Sequence, residues 1–300
     1  MLRRIVPATA AAALLVAGLT GCTSANSAEA NCKPMLTSGS SSDSVSVQGG
    51  IGDPIAVSLA YPQQDLLTQR TILNKAADRS RVITEGDIAT VNMVVIDGGS
   101  GQTIYDSKAQ SGGSSQQLVS VTEAQASPFS EGIRCAAPGD RVVVTLSSQT
   151  ATQYGMTMGT PAIAVIDVID AFGPKSEGRT KGLPNGFPAV VTNEAGQPGI
   201  VLPPTKAPTG TKSAVRIVGD GPVVKDTDIV QVNAMGVNWA DQSVFVNTWD
   251  SGMTAPLGAD SGEDPLRAAL TGKKIGSQVV VITDAGGQAQ IFVMDIVAAG

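Results

Sequence analysis

The chain has 300 residues, 20 Lys plus Arg against 26 Asp plus Glu, a formal net charge of -6 and no histidine. That balance, with no basic run beyond pairs such as Arg3-Arg4 and Lys273-Lys274, argues against a nucleic-acid partner. The missing histidine excludes Ser-His-Asp triads, imidazole acid–base catalysis and His-ligated metal sites, and three cysteines leave little for a thiolate zinc site. No cofactor and no metal is therefore expected. With 42% hydrophobic residues, 3% aromatics and 34 glycines, the composition suits β-rich domains with many turns.

At the N-terminus, Arg3-Arg4 precede an apolar stretch from Ile5 to Leu19, a secretory signal pattern. It ends in Leu19-Thr20-Gly21-Cys22, which resembles a bacterial lipobox. The resemblance implies a signal peptide over 1–21, a lipidated Cys22, and a mature protein held by acyl chains on the extracytoplasmic face of the cell membrane. Residues 22–45 are Ser-rich and predict a flexible polar tether. Cys32 and Cys135 are candidates for a disulfide in an oxidising compartment; two buried thiols are the alternative.

A first domain is expected over 46–172. Ile55 to Leu59, Thr71 to Leu73 and Ile88 to Ile96 alternate like half-buried strands. Asp97 to Gly101 reads as a turn into Thr103 to Asp106, a hairpin signal. Ser127-Pro128-Phe129-Ser130-Glu131 carries helix-start chemistry, and Pro138-Gly139 stops that helix early. Strands Arg141 to Leu146 and Ala162 to Ile169 follow, separated by a loop with Tyr154-Gly155. Several antiparallel strands with one short helix make an α+β architecture.

After a linker at 173–182, the motifs return over 183–300. Glu85-Gly86-Asp87-Ile88 is echoed by Asp226-Thr227-Asp228-Ile229, and Gly52-Asp53-Pro54 by Gly196-Gln197-Pro198. The strand at Arg141 is echoed at Gln278, and Val165-Ile166-Asp167 at Val293-Met294-Asp295. Motifs repeating in one order at this spacing predict two copies of one domain, not a solenoid.

In the first copy the order is Gly-Asp, strand, Gly-rich turn, Tyr105-Asp106, Pro128-Phe129-Ser130-Glu131-Gly132-Ile133, Pro138-Gly139-Asp140, Tyr154-Gly155 and an Asp167-containing strand. This resembles the FKBP family of peptidyl-prolyl isomerases over most of the first domain. The resemblance implies two tandem domains, each a twisted antiparallel sheet wrapped around one short helix, with a shallow apolar pocket that receives a proline. It places Tyr105, Phe129 and Ile166 around the ring, Tyr154 as donor to the substrate carbonyl, and Asp106 as the residue ordering the pocket. Met93 departs from the family's first pocket Tyr, and Gln125 and Ala126 stand where apolar residues usually begin the helix. In the second copy Phe245 is matched to Tyr105 and Val246 to Asp106; Ala234 and Leu266 replace further aromatics, and Thr283 to Gln290 leaves no Tyr-Gly loop. That copy is expected to be structural or partner-binding.

Amide rotation carries a resonance barrier of about 18–20 kcal/mol, which an apolar, desolvating pocket lowers without a proton shuttle. The expected partners are proline-containing segments of exported polypeptides. The competing reading is a lipid-anchored scaffold that holds such segments without turning them over. A lectin-like β-protein is a third, lacking the exposed aromatics sugar sites use.

Overall fold

A computed structural model describes residues 25–110, 117–259, 264–285 and 287–300. The leader expected over 1–21 and the lipidation site Cys22 lie outside these residues. Two segments expected as tether are helical: α1 (Ala25–Asn31) and α2 (Ser40–Asp43). Hydroxyl groups, not apolar burial, hold α2 in place. Ser42 Oγ lies 2.8 Å from Thr71 Oγ1, and Ser41 Oγ accepts from the Leu67 N–H at 2.9 Å. Serine composition read as disorder misses this, because short hydroxyls satisfy nearby backbone and strand groups. Cys32 and Cys135 form a disulfide, tying the segment after α1 to the exit of a later helix.

The chain is mostly sheet with a few short helices. A small hairpin comes first, β1 (Ser46–Gln48) with β2 (Ala56–Ser58). Then follow β3 (Gln69–Asn74), β4 (Ile88–Asp97), β5 (Thr103–Asp106), helix α3 (Ser107–Gln110), β6 (Gln117–Ser120), helix α4 (Pro128–Ile133), β7 (Arg141–Leu146), helix α5 (Ser148–Gln153) and β8 (Ala162–Phe172). The six strands after the hairpin form one antiparallel sheet ordered β3-β7-β8-β4-β5, with β6 also on β4.

Alternation along β4 sends Ala89, Val91, Met93 and Val95 to one face. That face packs with Val142, Val144, Ile166 and Ile133 of α4. The opposite face carries Val143, Ile163 and Val165, covered by Val47, Ile55 and Val57 of the β1–β2 hairpin. All ten residues of β4 are consequently buried, where alternation alone predicts half. The sheet is a filled layer rather than a one-sided one.

Helix α4 starts as its sequence dictates. Ser127 caps it, Pro128 occupies the first turn, and Ser127 and Ser130 exchange side-chain-to-backbone hydrogen bonds. Its closing carbonyls, of Gly132 and Arg134, accept from the Arg70 guanidinium. Gly132 is required by close packing: a Cβ there would meet Val144 Cγ2 at 2.4 Å.

The expected linker at 173–182 holds β9 (Arg179–Thr180). A second hairpin follows, β10 (Ala189–Thr192) with β11 (Pro198–Val201). The second large sheet adds β12 (Lys212–Val218), β13 (Val230–Asn238), β14 (Val244–Asn247), β15 (Ala255–Leu257), β16 (Gln278–Ala285) and β17 (Gln288–Ala299). Helices α6 (Thr248–Ser251) and α7 (Pro265–Leu270) sit between them. The order is β14-β13-β17-β16-β12-β9, with β15 on β13. Leu270 of α7 packs with Val232, Val281 and Met294 on one face; Ile200 and Phe187 of the hairpin region cover Val280, Ile282 and Val293 on the other. The linker is not a spacer, because its backbone is used. Pro174 O accepts from Asn233 Nδ2 at 2.5 Å, and Asp295 Oδ2 accepts from the Ser176 N–H at 2.9 Å. Ile88, Val297 and Ala298, with Leu118 and Phe172, pack the two halves together.

Candidate functional site

On the helix-bearing side of the first sheet, a hollow of about 450 Å³ is left open. That size lies within the range of ligand-binding clefts. Strand period places Met93 and Val95 on one wall, and cross-strand pairing sets Tyr105 of β5 opposite Val95. Ile104 of β5, Leu118 and Val119 of β6, Phe129 in the first turn of α4, and Met156 after α5 complete the apolar lining. Gln117, Ser120, Gln125 and Ser127 supply a polar rim. The Tyr105 hydroxyl donates to Gln117 Oε1 at 2.8 Å. Burial, aided by the Asp106 charge, pushes its phenol pKa up, so the group remains a neutral donor.

The five residues singled out by motif do not converge. Tyr105 and Phe129 line the hollow. Ile166 is fully buried beneath it, opposite Met93 across β4 and β8, and is part of the core. Asp106 follows Tyr105 on a strand, so its side chain takes the other face. There it accepts from the Lys108 N–H at 2.9 Å and caps α3, next to a separate hollow of about 440 Å³ shared with Asp53, Asn92 and Lys108. Tyr154 ends α5 and is 42% exposed. Its hydroxyl donates to Ala126 O at 3.3 Å, bracing the loop that leads into α4 rather than reaching over the pocket.

Sequence reasoning missed Val119 and Met156. Met156 follows the Tyr154-Gly155 motif by one residue and could have been weighed there. Val119 lies on β6, a four-residue strand with no motif to mark it. Met93, expected as a loss to the pocket, is one of its walls; its unbranched thioether adapts to irregular apolar space.

The second half corrects the matching of its residues by one position. Val95 pairs with Tyr105 and Val94 with Asp106; at the corresponding sites Gly236 pairs with Val246 and Met235 with Asn247. Val246, not Phe245, therefore stands at the Tyr105 position, and Asn247 takes the capping role of Asp106 through the Trp249 N–H. Phe292, at the place of Ala164, packs edge-on against Phe245 at 5.4 Å between ring centres, at an interplanar angle of 89°. Both rings cover Gly236, where a Cβ would meet them at 2.9 and 3.2 Å. Strands β16 and β17 form a direct hairpin, so among the described residues α5 has no counterpart between them.

Among the described residues, no group of three or more His, Cys, Asp or Glu side chains is arranged to hold a metal ion. No described helix is long and apolar enough to cross a membrane.

No family model matches the chain, and no curated protein sequence matches it. Among solved structures it is similar to the three FKBP domains of wheat FKBP73, at 12% identity and TM-score 0.34, covering 77% of this chain and 94% of that one. It is also similar to a putative peptidyl prolyl cis-trans isomerase, FKBP12, from Mycobacterium tuberculosis: 21% identity, TM-score 0.25, 32% of this chain and 88% of that one. FkpA from Escherichia coli matches at 20% identity and TM-score 0.26, over 39% of this chain and 52% of its own.

Proposed function

We propose that the chain is a lipid-anchored, extracytoplasmic protein built from two tandem FKBP-like domains, 46–172 and 183–300. The first binds X-Pro segments of exported polypeptides and speeds their cis–trans isomerisation. The observation that carries this reading is the apolar hollow between Met93, Val95, Tyr105, Phe129 and Met156, open to the surface and rimmed by amide and hydroxyl groups. A proline ring seated there leaves its preceding amide in a poorly hydrated setting. Loss of water disfavours the dipolar planar amide more than the twisted form, which is how the barrier falls without an acid or base. Tyr105, Gln117, Ser120, Gln125 and Ser127 bring the hydrogen-bonding side chains that line the hollow. No covalent step occurs.

A second reading, binding without turnover, is favoured by Tyr154 and Asp106. Both are committed to backbone partners and neither lines the hollow. A protease-coupled proline-isomer assay on the whole chain separates the two. The isomerase reading expects catalysis that drops at least about tenfold in Phe129→Ala, while Val246→Ala in the second half leaves it unchanged. Peptide binding without catalysis leaves the scaffold; no binding ends both readings.

A further inference from the structure

The pocket does not stop at its own rim. Ser120 and Gln125 also line a second hollow, of about 340 Å³, that opens between the two halves. Its far wall comes from the second half, including Asn233, Trp249 and Met253. Gln125 Nε2 meets Met253 Sδ at 3.7 Å, so the two halves touch at the rim itself. Strand β6 runs between the hollows: Gln117 to Ser120 line the first, and Ser120 lines the second. Three steps of extended chain, at about 3.3 Å each, link one to the other.

Trp249 lines the second hollow, and the hollow has a charge preference. Trp249 Nε1 is buried with no partner among the described residues. A buried donor without an acceptor is unfavourable until a ligand supplies one. Glu85 and Glu123 line the hollow and, among the described residues, no Lys or Arg does. Glu85 is paired with Arg134 at 2.9 Å, whereas Glu123 is exposed and has no ion pair among the described residues.

We propose that the two hollows form one groove for an extended polypeptide. Proline sits in the first. A basic residue about three positions away sits between the halves, with a backbone carbonyl on the Trp249 indole N–H and its cation facing Glu123. This deepens, and rests on, the reading that the first pocket takes X-Pro segments. The second half thereby becomes one wall of the first half's site.

Binding of fluorescent peptides to the full chain tests it. One peptide is a short X-Pro tetrapeptide; the others are octapeptides with Lys, or Glu, three residues before or after the proline. A Lys octapeptide is expected to bind about tenfold tighter than the tetrapeptide, and the Glu octapeptides no tighter. Trp249→Phe removes about fivefold of that gain and Glu123→Gln about threefold, both leaving the tetrapeptide unaffected. Glu123 is a surface side chain, so its variant reports even if Trp249→Phe unfolds. Phe129→Ala weakens every peptide. Tetrapeptide binding with no gain from Lys, or a gain indifferent to both variants, overturns the groove alone. Failure of the tetrapeptide to bind overturns the pocket reading and the groove with it.

Discussion

Where the first half sets Val95 beside Ala164, the second sets Gly236 beside Phe292. In the first, the small Ala164 leaves room and Tyr105 stands at the edge of an open hollow. In the second, Phe292 stands at that place with Phe245 edge-on against it, and Val246 occupies the position of Tyr105. A parallel exchange occurs at the buried polar pair. Arg141 grips Asp167 with two hydrogen bonds, at 2.6 and 2.8 Å, and donates to Gly49 O and Gly50 O. At the matching cross-strand pair, Gln278 donates to Asp295 at 2.7 Å. Burial pushes the Asp295 carboxyl above its usual range, against hydrogen bonds from Ser176 and Gln278. The framework thus survives exchange of an ionic pair for a neutral donor. The wall beside the hollow is less constant: Ala164 and Val95 in the first half give way to Phe292 and Gly236 in the second.

The largest break in this comparison is Arg141→Gln, which makes the first half imitate the second. Asp167 stays buried without a cation, so urea unfolding should show a loss of about 4 kcal/mol, against about 1 kcal/mol for Gln278→Ala. Next comes the asymmetric staple. Replacing both Cys32 and Cys135 by Ser opens a link spanning 103 residues, which only the first half has. About 3 kcal/mol should be lost, read from the same urea curves. Ala164→Phe carries the second half's plug into the first. Overpacking should cost about 2 kcal/mol. Proline-peptide affinity should fall at least about tenfold, by fluorescence titration, if the hollow is the site.

The smallest effect is in acid. Asp97 is pulled up by burial but held down more strongly by hydrogen bonds from Thr160 and Ser100, which bring it to about 2. Its folded value lies below the ordinary 3.8, so its contribution is full above that value and is lost as pH falls toward about 2. Asp295, raised by burial, has the opposite sign: its contribution is full below the ordinary range and is lost as pH rises through its raised value. Urea midpoints from pH 2 to 7 should therefore show a shallower acid slope in Asp97→Asn and a shallower slope above the carboxylate range in Asp295→Asn.

Much of this protein was legible in its sequence because it is local. The capping box of Ser127 and Ser130, Pro128 in the first turn, the Asp97 to Gly101 turn and the alternating runs of β4, β7 and β8 rest on neighbours within a few residues. The repeated motifs were legible for the same reason, since each is a turn running into a strand. Tyr105 and Phe129 could be chosen because motif and face agree. Tertiary structure decided the rest. A strand sends adjacent residues to opposite faces, and bulges shift the pairing between Val95 and Ile96 and between Gly236 and Val237. Pairing, not sequence order, therefore set Asp106 on the far side of the sheet and Val246 at the Tyr105 position. Ile166 became core because the sheet is covered on both faces, and Val119 and Met156 reached the hollow from segments whose place is set by distant partners. Composition fixes how much apolar surface must be hidden; only long-range packing determines which small part of it stays open.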